Sequence, residues 1–215
     1  AEASKVTSID ARYISYKRYG QEIKIKDLSG IEYFPNLTRI NCTNVKIDQL
    51  DVSKCPALTT LNCHGCEMKV LKVKGCETLI TINCRDNLLT SLDVSGLSKL
   101  KSLDCKNNEL SQLTLVGCES LLNIYCSENL LEKLDLSSCA KISGVDCDTN
   151  KLADMNISGC SQLYSLDCHD NNLSYLDLGN YTKLDDLNCS DNQLGTLIVS
   201  GCSALTSLSC VNNQL

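Results

Sequence analysis

Nine cysteines, Cys42, Cys63, Cys84, Cys105, Cys126, Cys147, Cys168, Cys189 and Cys210, follow one another at intervals of 21 residues without a slip. A fixed interval of about 20–30 residues makes every interval the same supersecondary unit, and such units stack side by side rather than folding around one centre. A second series, Cys55, Cys76, Cys118, Cys139, Cys160 and Cys202, keeps the same period, with Leu97 and Tyr181 at its two missing places. Of the sixteen cysteines only Cys66 stands outside both series.

Leucine or isoleucine opens each unit, at Leu37, Leu58, Leu79, Leu100, Leu121, Ile142, Leu163, Leu184 and Leu205. The shared form is L-x-x-L-x-C-x-x-N-x-L-x-x-L-x-V-x-x-C-x-x. Its first eleven positions match the leucine-rich repeat signature, with cysteine in place of the third leucine. The chain therefore resembles the leucine-rich repeat family over residues 37–215, in nine consecutive units, the last stopping at its eleventh position. The stretch IKDLSGIEYFPNLTRI (25–40) is similar to the longer repeat of internalin-type bacterial surface proteins, with Ile25, Leu28, Ile31, Phe34 and Leu37 as its apolar set. Val6, Ile9 and Ala11 echo the repeat before RYISYKRYGQE (12–22) interrupts it. Residues 1–36 thus read as an N-terminal cap carrying a tyrosine-rich, basic loop, since terminal repeats must close one face against water. The C-terminal VNNQL has no such cap, which implies either a longer chain or a partner or second copy over that end.

Alternation at the fourth to sixth positions of the unit is the period of a half-buried strand, and stacked units place these strands in a parallel sheet about 4.8 Å apart. The second half alternates again, as in SLDVSG (91–96), and lacks a helical period. The expected fold is a β-rich solenoid: a leucine-rich repeat horseshoe with a parallel concave sheet and strand or turn, little helix, on the convex side. Aromatic residues are only 4% of the chain, with one Phe and no Trp, so aliphatic side chains must fill the core.

The ninth position is Asn87, Asn108, Asn129, Asn150, Asn171, Asn192 and Asn213 in seven units. An amide there is expected to bond backbone groups that the turn leaves unpaired. The exceptions are Val45 and Cys66. Cys66 makes Cys63-His64-Gly65-Cys66, which in isolation suggests a redox dithiol, half of a zinc site or a damaged haem-attachment motif. The period explains it otherwise: Cys63 is a core position and Cys66 replaces the turn asparagine. A zinc site would need further ligands, with only His64 and Cys76 nearby. Stacked cysteines about 4.8 Å apart do not suit a disulfide, whose Cβ atoms lie about 3.8 Å apart. Free buried thiols are expected, and these do not fix the compartment.

Function must then sit on exposed columns. The middle of the concave strand carries Asp104, Tyr125, Asp146 and Asp167; the flanking columns carry Asn123 and Asp186 on one side and Arg85, Lys106, Asp148 and His169 on the other. Tyr125, the one aromatic in these columns, has the character of an interface anchor. Residues 142–215 hold nine aspartates and two lysines, a net of −7, against 17 acids and 18 bases in residues 1–141. Repulsion between neighbours such as Asp146 and Asp167 is relieved by a basic partner or a cation, although no calcium loop of the D-x-D-x-D-G type is present. The overall net charge of −6 disfavours nucleic acid. No nucleophile elbow, P-loop or H-E-x-x-H motif occurs, and an open face cannot exclude water, so neither catalysis nor a cofactor is expected.

No run of residues is long and apolar enough for a transmembrane segment. The opening AEASKVTSID is not a secretory signal, so one is either absent or already removed. The internalin resemblance implies an extracellular or cell-surface module whose concave face grips a protein. The alternative is a structural or glycan-binding spacer in a larger surface protein.

Overall fold

Each full 21-residue unit makes one turn of a coil whose two straight runs are three-residue strands. In the computed structural model, which describes residues 2–12, 15–18, 21–24 and 27–215 (backbone alone at 15–18 and 21–24), the concave runs form one ten-stranded parallel sheet. Its strands are Ser8–Asp10, Arg39–Asn41, Thr60–Asn62, Thr81–Asn83, Ser102–Asp104, Asn123–Tyr125, Gly144–Asp146, Ser165–Asp167, Asp186–Asn188 and Ser207–Ser209. Pairing is in register throughout, so each unit position becomes a straight column across the sheet; Ile82, Leu103, Ile124 and Val145, for example, stack directly. Among the described residues there is no α-helix, only the 3-10 turns Ala3–Lys5 and Ile31–Tyr33.

The core is the space between the two runs. Leu100, Leu103, Cys105, Leu110 and Cys118 of one unit are fully buried, and their equivalents line the interior of its neighbours. All sixteen cysteines are free thiols, and fifteen are buried. Small buried thiols fit where a solenoid interior narrows, since a free cysteine packs as a compact hydrophobe.

The thiols of the second cysteine series also act as donors. Cys76, Cys118, Cys160 and Cys202 point Sγ at the carbonyl oxygens of Val52, Val94, Leu136 and Leu178, at 2.7, 3.2, 3.5 and 3.0 Å. Where Tyr181 replaces cysteine, its hydroxyl donates to Ile157 O at 2.7 Å, the equivalent carbonyl one unit earlier. The convex strands pair only two by two: Gln49–Asp51 with Val70–Lys72, Ser91–Asp93 with Gln112–Thr114, Lys133–Asp135 with Asp154–Asn156, and Tyr175–Asp177 with Thr196–Ile198. In the first member of each pair an aspartate (Asp51, Asp93, Asp135 or Asp177) accepts from the backbone N–H two residues on, at 2.9 to 3.0 Å. The convex side therefore repeats by pairs of units while the concave side repeats by single units.

The asparagine column ties unit to unit. Nδ2 of Asn129 donates to Cys105 O of the preceding unit and to Cys126 O and Ser127 O of its own at 3.0–3.1 Å, while Oδ1 accepts from Leu110 N at 3.0 Å. Asn87, Asn108, Asn150, Asn171, Asn192 and Asn213 make the same set, each with Nδ2 reaching the preceding unit. The residue before each asparagine is left-handed, with φ between 51° and 56° at Asp86, Asn107, Glu128, Thr149, Asp170, Asp191 and Asn212, and Asn44, before Val45, is left-handed too. Short polar residues tolerate that conformation best, which explains the run of Asn and Asp.

Cys66 takes part of the asparagine's role. Its Sγ donates toward Cys42 O at 3.1 Å, and because a thiol offers no carbonyl, the backbone Cys66 O accepts the Ile47 N–H at 3.1 Å. Glu67 has φ 56°, and at Gly65, itself left-handed, a Cβ would lie 2.3 Å from Asn44 Oδ1 unless that side chain moved. Cys63 is buried in the core column.

At the N-terminus, Ser8–Asp10 supplies the first concave strand, pairing Ile9 with Ile40, and Ala11 and Ile31 are buried against the first units. The backbone at 15–18 and 21–24 pairs as an antiparallel hairpin. Apart from that backbone and Arg12, the tyrosine-rich stretch 12–22 lies outside the described residues, as does Ile25. At the other end Leu208 and Leu215 are exposed, whereas their equivalents in the interior units are buried.

Replacing Asn129 by Ala orphans the Leu110 N–H and the carbonyls of Cys105 and Cys126 in a buried turn, so urea denaturation is expected to show a loss of about 3 kcal/mol. Asn213→Ala, in the half-exposed last unit, is expected to cost less than about 1 kcal/mol; equal losses at the two positions would contradict the ladder's role.

Candidate recognition surface

In-register stacking sets the concave columns. Asp104, Tyr125, Asp146 and Asp167 are consecutive, each directly paired with the next. Asn123 lies in the adjoining column, opposite Gly144, where a Cβ would meet Asn123 Oδ1 at 2.7 Å; glycine leaves the room that the amide occupies. Lys106, Asp148 and His169 lie on the other flank, two residues past the central column. These residues form one patch across four strands. Arg85 lies one unit outside it and reaches Asp86 at 3.4 Å, and Asp186 is exposed beyond the opposite side.

The patch is electrostatically graded. Lys106 Nζ lies 3.2 Å from Glu128 Oε1, which raises the lysine's pKa. His169 Nδ1 lies 2.7 Å from Asp167 Oδ1, and that hydrogen bond raises the imidazole's pKa. Burial raises the Asp104 carboxyl above its ordinary value. Burial, then the hydrogen bond with Asp148 and its charge, lifts Asp146 to about 6. Burial opposes ionisation of Asp148 as well, but its bonds to Asp146 and Thr149 outweigh that and lower its pKa. Of the two carboxyls, Asp146 is therefore the one that takes up a proton first as pH falls.

Sequence reasoning missed two features. Ser127 is fully buried beside Tyr125, with no partner for its hydroxyl. Tyr164 and Tyr175 are exposed outside the concave columns, with hydroxyls at Asp185 Oδ2 (2.7 Å) and Asp177 Oδ2 (3.4 Å). A serine at that position carries no signal, because Ser190 occupies it too. Tyr164 was findable, since its column also holds the exposed Ile80 and Leu122.

Chemically the patch has carboxylates but no activated nucleophile. Seven thiols of the first cysteine series are held protonated: for Cys63, Cys84, Cys105, Cys126, Cys147, Cys168 and Cys189 burial is the main cause of a raised pKa. Among the described residues no three His, Cys, Asp or Glu side chains are grouped to hold a metal ion. No described helix is long and apolar enough to cross a membrane.

Residues 19–108 match the family model of the leucine-rich repeat domain of endo-beta-N-acetylglucosaminidase EndoS. No curated protein matches the chain in sequence. A leucine-rich repeat protein of Leptospira interrogans superposes with a TM-score of 0.77 at 23% identity, covering 87% of this chain and 52% of that one, so the chain spans about half that relative's length. An internalin of Listeria monocytogenes, inlF, superposes with a TM-score of 0.63 at 20% identity, covering 99% of this chain and 69% of that one. The plant peptide hormone receptor RGFR1, solved in complex with RGF2, gives 0.77 at 17% identity over 98% of this chain and 36% of the receptor. With the in-register units and their asparagine column, these likenesses show that the chain has the leucine-rich repeat fold, built from 21-residue units.

The raised Asp146 carboxyl makes a pH prediction. A carboxyl whose folded pKa is raised binds its proton more tightly when folded, so its contribution to stability falls as pH rises from about 3.8 through about 6. Carbon-detected NMR should find Asp146 titrating near pH 6 and Asp148→Asn should lower that value; titration of Asp146 at 3.8 or below would contradict the pairing.

Proposed function

We propose that this domain is a non-catalytic recognition module whose concave sheet holds a protein partner at a bacterial cell surface. The observation that carries the reading is Tyr125, an exposed aromatic with no side-chain hydrogen bond at the centre of a sheet otherwise lined by small polar and charged groups. Aromatic side chains surrounded by polar ones are the usual energetic centres of protein interfaces. The acidic second half favours a partner with a basic surface, because charge complementarity steers encounter. Support for a surface location comes from the internalin fold neighbour and the resemblance of residues 25–40 to internalin repeats. Protonated thiols, and histidines His64 and His169 separated by five units, about 24 Å at the sheet spacing, argue against chemistry on this face.

The test is to probe arrays of extracellular proteins and glycans with labelled domain, beside a Tyr125→Ala, Asp146→Ala, Asp167→Ala variant. A protein hit weakened at least about tenfold in the variant is expected. A hit that ignores the three substitutions, or binding to glycans alone, would overturn the reading.

A further inference from the structure

Tyr125 is bracketed in its own column by carboxylates, Asp104 on one neighbouring strand and Asp146 on the other. Tyr164, Tyr175 and Tyr181 each commit the hydroxyl to an acceptor, whereas Tyr125, 43% exposed, commits to none. Ser127 adds an independent observation. At the same position in other units the side chain engages the central column: Thr43 Oγ1 donates to Asn41 Oδ1 at 2.8 Å, His169 Nδ1 sits 2.7 Å from Asp167 Oδ1, and Ser190 Oγ sits 2.7 Å from Ser209 Oγ of the next unit. At Ser127 the central residue of its own unit is the Tyr125 ring, which leaves the hydroxyl fully buried and unpartnered. The central residue of the next unit is Asp146, whose Oδ1 is also buried without a partner. Two unpaired oxygens thus flank one untethered aromatic.

We propose that this is a socket for an arginine side chain of the partner, the guanidinium stacking on Tyr125 and donating N–H bonds to Asp146 and Ser127. The inference rests on the concave sheet being a partner-binding surface. The local cations pair elsewhere, Lys106 with Glu128, Arg85 with Asp86 and His169 with Asp167, and neither Asp104 nor Asp146 is in direct ion-pair contact with one of them, although the charge of Lys106 reaches both. A guanidinium fits better than an ammonium because it is planar, weakly hydrated and carries several donors in one plane. A metal ion fits poorly, since among the described residues no set of three metal-ligating side chains converges. Both flanking oxygens are shielded in the free domain, so Tyr125 turns about its side-chain bonds as the arginine enters.

The experiment uses the full chain, labelled with nitrogen-15, titrated with the blocked peptide Gly-Gly-Arg-Gly-Gly and with its lysine and citrulline counterparts. Saturable shifts centred on the amides of Tyr125, Ser127 and Asp146 are expected with the arginine peptide, weaker ones with lysine, and none with citrulline. Tyr125→Ala and Asp146→Asn should each weaken binding roughly tenfold, while Tyr125→Phe, which keeps the ring, should retain it. Equal binding of citrulline, shifts centred instead on Asp185, Asp186 and Asp191, or no saturable shift at all would overturn the socket. Calcium chloride alone reproducing the Tyr125 shifts would overturn it in favour of a metal site. An array partner lost in the triple variant would leave the concave-face reading standing even if every peptide failed. A bound arginine peptide beside a partner that ignores the triple variant would sink that reading and keep the socket.

Discussion

The side-chain amide at the ninth position of each unit is the interaction on which the rest of this structure depends. A concave strand of three residues is too short to hold its register alone, and the turn that leaves it would bury carbonyls with nothing to bond. One asparagine answers both needs, bonding the turn of its own unit and reaching the preceding unit by both ends of its amide, as Asn108 does at Cys84 O and Leu89 N. Every column across the concave sheet, including the one with Tyr125 and its carboxylates, is straight because this tie recurs at the same place. Cys66 shows how far the tie can be altered: a thiol replaces the donor, a backbone carbonyl replaces the acceptor, and a glycine at 65 makes room.

The convex side follows a different rule. Its short strands join in pairs, and thiols or the Tyr181 hydroxyl bond carbonyls that the strand ladder leaves over. Cysteine is thus used twice in most turns, as a small filler beneath the concave sheet and, at Cys76, Cys118, Cys160 and Cys202, as a filler with a donor on the convex side. The concave face is continuous and the convex one segmented, which is why the proposed recognition surface is assigned to the former.

The solenoid, its unit boundaries and the inward columns were legible because they depend on period and polarity, which a sequence displays directly. The turn reading of Asn87 to Asn213 was legible for the same reason, and so was Cys63 as a core residue. The pairing of convex strands was not, although alternating Asp51, Asp93, Asp135 and Asp177 against Lys72, Thr114 and Asn156 is its trace. At the site, the columns holding Tyr125, Asp104 and Asp146 could be placed from the repeat alone. The role of Ser127 could not, because it depends on which side chain its neighbour presents and whether that neighbour accepts a hydrogen bond. The raised pKa of Asp146 likewise depends on the depth of burial, which the alternating pattern does not encode.

Native-state hydrogen exchange tests the central claim most directly, read at the amides of Leu89, Leu110, Leu131 and Leu152, each bonded to the asparagine Oδ1 of the following unit. If the asparagine column holds the units together, these amides exchange as slowly as those of the concave strands at Leu103 and Ile124. Exchange at the rate of exposed turn amides would show that the strands keep register without the column, and the account would fail at its base.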